Sequence, residues 1–285
     1  MFLPMLALGA LSMFFPMLTL ILGLWYCSKN LDIIVQHPYR FILPMYLIPI
    51  SLVLFTRDNS SVLLSADAII GVIVPTTIFV FVVRKTYTPD ILYALLGAII
   101  VIYGSSRLML FSEQLYSIFE QAMISVQNIL PAQYSGVKTE NTMALMKLFY
   151  PAVWTLQLII AMVIGIALFN RQIGLPLRFS DMRVNKWYGL VIILIAPLYL
   201  SEAWHPQMWN MLVAYCILPM LQGVSVMIAK LSRIISNPLL NVLIVLILLA
   251  NSISYIMFTL LGVADQWLDF RKTNTGGISN ESNHA

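Results

Sequence analysis

Residues 238–264 read PLLNVLIVLILLANSISYIMFTLLGVA, without one charged side chain between Arg233 and Asp265. A helix crosses the roughly 30 Å hydrocarbon core of a bilayer with about 20 mostly apolar residues, and this run is long enough. A helix on the surface of a soluble domain would carry a charged face opposite its apolar stripe. Here there is none, so the stretch belongs in lipid. Working back along the chain, similar runs fall at about 208–230, 187–203, 147–169, 91–112, 62–83, 39–56 and 2–26. The expected fold is therefore all-α, a polytopic transmembrane helical bundle of about eight spans. Residues 1–272 form a single integral membrane domain in this reading. The polar, aperiodic residues 273–285 are expected to be a disordered tail.

Composition agrees. Of 285 residues, 60% are hydrophobic and 10% charged, with a mean hydropathy of +0.88. Soluble domains carry roughly 25% charged residues. The net charge of +4 does not point to nucleic acid, because the sixteen Lys and Arg stand singly at the ends of apolar runs. Instead they orient the chain. The connections after the first, third, fifth and seventh spans hold Lys29, Arg40, Arg84, Lys85, Arg171, Arg178, Arg183, Lys186, Lys230 and Arg233. Basic connections face the cytoplasm. With eight spans, both termini then face away from it. The expected location is the bacterial cytoplasmic (inner) membrane, with the lipid bilayer as the first partner. The N-terminal run lacks a basic leader and is read as a retained helix rather than a signal peptide.

Two spans need comment. The second, 39–56, contains Pro44 and Pro49, each removing a backbone hydrogen bond, so a kink or partial entry is expected there. Between the fourth and fifth spans, Leu115, Ile118, Phe119 and Ala122 recur at helical spacing opposite Glu113, Glu120 and several amides. This predicts one amphipathic interfacial helix, acidic on its polar face and so on the outer side.

Ionisable groups inside a span cost about 2.5–3.5 kcal/mol each on insertion scales, so each is a candidate site. Asp67 sits a turn and a half inside the third span, among Leu64, Ser65, Ala66 and Ala68. It reads either as a ligand-binding carboxylate or as a hydrated interfacial cap. Arg107, near the end of the fourth span, is expected to snorkel to the headgroups, with a ligand carboxylate as the alternative partner. Gln157 and Gln222 are amides within spans, read as interhelical hydrogen-bonding groups or ligand contacts. Glu202 lies with Trp204, His205 and Trp209 at a membrane boundary, either the mouth of a site or part of an aromatic belt. Cys27 and Cys216 lie far apart in apolar runs and read as buried thiols. No catalytic residues, metal site or cofactor motif emerge, and no enzyme activity is expected.

The most distinctive string is residues 261–271, LGVADQWLDFR. If the helix continues through it, Asp265 and Asp269 share a face and repel, while Trp267 and Arg271 sit at stacking distance. These four are the candidate docking residues for a membrane protein partner.

This string resembles the C-terminal signature of the YybS-like family of bacterial membrane proteins. Leu221-Gln222-Gly223, the basic stretch from Leu177-Arg178-Phe179 to Arg183-Val184, and Ala7-Leu8-Gly9-Ala10-Leu11 leading to Pro16 extend the likeness over most of the chain. The family is grouped distantly with the membrane substrate-binding components of energy-coupling-factor vitamin transporters. The resemblance implies a helical bundle that holds a small-molecule ligand and docks on a partner through the first helix. That docking uses an Ala-xxx-Ala surface, where this chain has Ala7, Gly9, Ala10 and Ser12. Two functions follow as expectations: a small-molecule binding or transport component, or a membrane scaffold or assembly factor.

Overall fold

The computed structural model describes residues 2–56, 58–85, 88–129, 139–175 and 179–271, without the side chains of 126–129 and 139–145. The tail at 273–285 lies outside these residues. Among the described residues every regular element is a helix. They are α1 (Phe2–Phe14), α2 (Pro16–Lys29), α3 (Leu31–Gln36), α4 (Pro38–Thr56), α5 (Asn59–Ala68), α6 (Val74–Lys85), α7 (Pro89–Leu110), α8 (Ser112–Ile129), α9 (Thr139–Gln172), α10 (Val191–Ile195), α11 (His205–Ile234), α12 (Pro238–Leu249) and α13 (Ser252–Leu268). A π-helical turn, Ile69–Ile73, joins α5 to α6, and short 3-10 turns flank α10.

Five of these stretches are long and apolar enough to cross a membrane: Pro38–Thr56, Asn59–Lys85, Pro89–Leu110, Met146–Gln172 and Glu202–Ile234. Counting α12 with α13 makes six. Three expected spans account for the difference from eight. Pro16 divides the first, because Pro disfavours helical geometry in the residue before it and Phe15 takes φ −133°, ψ 62°. The sixth is the short apolar stretch Lys186–Leu200, assembled from 3-10 and α segments. The eighth bends by 114° between α12 and α13. Asn251 causes this break by capping α13, its side chain accepting the Ile253 N–H at 3.0 Å. The second span, where a kink or partial entry is expected, is one helix through Pro44 and Pro49 and long enough to cross.

Each proline strips a carbonyl one turn back of its donor, and neighbours fill several of these gaps. Pro49 frees the Met45 carbonyl, onto which Gly9 of α1 packs so closely that a Cβ there would collide with it. Pro219 frees the Tyr215 carbonyl, which accepts the Tyr188 hydroxyl at 3.1 Å. Near Pro151, Asn210 inserts into the α9 ladder. Its Oδ1 accepts the Ala152 N–H at 3.0 Å and its Nδ2 donates to the Leu148 carbonyl at 2.6 Å. Before Pro75 the helix widens into the π turn, with Val74 donating to Ile69 five residues back.

The chain expected to be one domain divides into two compact units, 1–177 with 183–218, and 178–182 with 219–285. In the larger, α2 and α7 both pack along α9, and α1 lies on α4. In the smaller, the C-terminal half of α11 packs with α12 and α13 around Val224, Val245 and Phe258. Large apolar side chains stay exposed in both, among them Phe55 (86%) and Leu239 (78%), as lipid-facing surfaces require.

Candidate functional site

Asp67 and Arg107 stand on consecutive antiparallel segments, one near the start of its segment and the other near the end of the next. That places them at matching depth. Both are buried, at 6% exposure. The Arg107 guanidinium meets the carboxylate with two parallel hydrogen bonds, Nε to Oδ1 at 2.7 Å and Nη2 to Oδ2 at 2.8 Å. Tyr103, one turn before Arg107, donates its hydroxyl to Oδ1 at 2.9 Å. The expected snorkelling does not occur: Arg107 turns inward because a buried carboxylate offers it more than the headgroups do.

Aromatic packing completes the enclosure. The Trp154 indole lies under the guanidinium at 4.7 Å and meets the Tyr103 ring edge-on at 5.6 Å. Two glycines make room around this packing. A Cβ on Gly71, in the π turn, would press on the Trp154 ring, and one on Gly104 would collide with Thr155. The widened turn therefore seats the indole at Gly71, three residues past the end of α5, which carries Asp67. Chemically this is a desolvated, charge-neutral centre with one fixed anion, one fixed cation and a phenol, all aimed at each other.

An open groove of about 500 Å³ lies one turn away along α5. Ser60, Leu63 and Leu64 form one wall, and Glu113, Gln114, Ser117, Ile118 and Gln121 of α8 form the other. Its size is that of small-molecule sites. Leu63 also belongs to a buried cluster with Leu108 and Leu115, flanked by Phe111, Tyr116 and Tyr150. Leu63 is four residues before Asp67 and Leu108 follows Arg107, so this cluster adjoins the ion pair, and its Leu63 also lines the groove. Ser65 is buried on the same helix with a hydroxyl that has no hydrogen-bond partner among the described residues.

A second charged centre lies in the smaller unit. Asp265 is 5% exposed. Its Oδ2 accepts Gln222 Nε2 at 2.7 Å and Arg271 Nη2 at 2.9 Å, and its Oδ1 accepts the Phe270 N–H at 3.0 Å. Arg271 Nη1 donates to the Ser180 carbonyl at 3.0 Å. Helix α13 ends at Leu268 and Asp269 turns left-handed (φ 44°), so Asp265 and Asp269 do not share a helical face. Of the four docking candidates, Asp265 and Arg271 bind each other and Trp267 is exposed at 70%.

The remaining candidates do not join either centre. Gln157 is exposed on α9, and Glu202 is exposed in a 3-10 turn beside His205, which stacks on Tyr199 at 5.8 Å. Sequence reasoning missed Tyr103, Trp154 and Asn210. The spacing of Tyr103 to Arg107, one helical turn, was the available signal. Cys27 is buried and Cys216 half-buried, both as free thiols. No family model, curated protein or solved structure matches the chain.

Proposed function

We propose that this chain is a multi-pass protein of the bacterial cytoplasmic membrane that binds a small molecule in its larger unit, as a component of a transport system. The observation that carries the reading is the buried Asp67–Arg107 pair. Taking two ions out of water costs several kcal/mol apiece, and apolar residues would pack there at no such cost. Ionisable groups at membrane depth otherwise mark ligand or ion pathways. The groove at Ser60, Leu63 and Gln114 is the entrance in this reading, and the Leu63–Leu108–Leu115 cluster is the barrier that ligand passage must open. The π turn at Ile69–Ile73 is the element suited to move, since π turns are concentrated at functional sites.

The finer expectations fit within this proposal. Further crossings come from α1 with α2 and from Lys186–Leu200, α8 lies at the outer interface, and the family is the YybS-like one. The activity is binding, without catalysis, cofactor or metal. The scaffold reading has Trp267 and the exposed apolar faces of α12 and α13 in its favour, but its charged docking residues are occupied within the chain.

The test compares wild type with the double variant Asp67→Asn/Arg107→Gln, which removes both charges and leaves an amide at each position. Small molecules released from each purified protein are measured by mass spectrometry. A compound that accompanies wild type and is lost from a double variant of similar melting temperature supports the proposal. Identical release profiles from the two proteins overturn it.

A further inference from the structure

The smaller unit carries a topological consequence. Helix α12 leaves the end of α11 after Ser236 and runs back along it. Val245 packs in one cluster with Val224 and Phe258, and Leu249 and Met220 both pack against that cluster. The chain then bends by 114°. Along α13, Phe258 lies on Gly223, Gly262 on Pro219, and Asp265 hydrogen-bonds Gln222. Beyond the helix end, the Arg271 carbonyl accepts Arg233 Nη2 at 2.9 Å. These contacts begin and end at the same end of α11. In between they reach Pro219, about 21 Å up the helix from Arg233 at 1.5 Å per residue. The hydrocarbon core is about 30 Å thick.

We infer that α12 and α13 form a re-entrant hairpin, entering and leaving the membrane on the side of the α11–α12 connection. The inference rests on the membrane reading but not on the ligand site of the larger unit. Three further observations carry it. Helix α12 has 12 residues, about 18 Å, too short to cross alone. The tip satisfies its own backbone, as irregular chain at membrane depth must: Ala250 N–H donates to Leu246, Asn251 N–H to Leu248, and Ser254 N–H to the Asn251 carbonyl. The Ile253 N–H is taken by the Asn251 side chain. Finally, Arg271 lies beside Arg233, so these two bases share one side, where a single crossing would put them opposite. Asp265 explains why the returning end stays down. It fastens α13 to α11 through Gln222 and holds Arg271 in reach of Arg233.

The experiment is cysteine accessibility in the full chain with Cys27 and Cys216 replaced by Ala. Ser236→Cys and Thr273→Cys are introduced singly, and each is treated with a membrane-impermeant maleimide in right-side-out and inverted vesicles. The hairpin predicts that both positions are labelled in inverted vesicles and both are protected in right-side-out ones. Labelling of the two positions in opposite orientations overturns it. Release of the chain by an alkaline carbonate wash overturns the membrane reading beneath it, whereas an unchanged ligand profile in the larger unit leaves the hairpin intact.

Discussion

Two buried aspartate–arginine pairs stand out among the described residues, and they are built differently. Asp67 and Arg107 come from separate helices, 40 residues apart, and meet fork to fork. Apart from Arg107, the donor on Asp67 is the Tyr103 hydroxyl. Asp265 and Arg271 are six residues apart, at the end of one helix, and meet through one nitrogen. Asp265 also holds the Gln222 amide and the Phe270 N–H. The first pair joins helices and depends on its arginine. The second closes a turn and spreads its carboxylate over three donors. Similar chemistry serves as a polar centre in one unit and as a clasp in the other.

Breaking each pair from the arginine side separates them most. Arg107→Gln leaves Asp67 with a single strong donor in a buried site, and the expected loss is about 3–5 kcal/mol of unfolding free energy. Arg271→Gln leaves Asp265 two donors, and the expected loss is about 1.5–3 kcal/mol. Denaturant titration in one detergent measures both. Equal losses would mean that Gln222 and Phe270 do little for Asp265.

Asn210→Leu tests whether neutral polar links match the charged ones. It leaves the Ala152 N–H and Leu148 carbonyl to close across the Pro151 bend, with an expected cost of about 1–3 kcal/mol in the same titration. The smallest effect lies outside the membrane. The Ser61 hydroxyl and N–H hold the Asp58 carboxyl below its ordinary range at the start of α5. A depressed carboxyl adds stability that is present at neutral pH and lost as pH falls through its folded-state value. The protection factor of the Ser61 amide, taken relative to its intrinsic exchange rate at each pH, should therefore fall on acidification in wild type and stay level in Asp58→Asn.

The helical class was legible because composition and uncharged runs of 20 residues leave few alternatives. The number of crossings was not. Hydropathy sees 238–264 as one apolar run, while the backbone sees Asn251, a short side chain that caps a new helix in mid-run. Pro16 has the same effect on the first run. Conversely, Pro44 and Pro49 looked disruptive, yet α4 runs through both as one helix, with α1 packed at Gly9 against one freed carbonyl. Asp67 and Arg107 were each visible as costly residues, yet their pairing required comparing depth in two adjacent segments. Asn210 gave no local sign, because the gap it fills lies 58 residues away.

That single amide has a mechanical meaning. Its two prongs fit one rung of α9, a donor and an acceptor side by side. If α9 slid by one residue along α11, both prongs would lose their mates together, and each bare polar group in hydrocarbon costs several kcal/mol. The register between these two helices is thus locked like a key in its wards. Any motion that opens the larger unit must pivot around this pair rather than shear it.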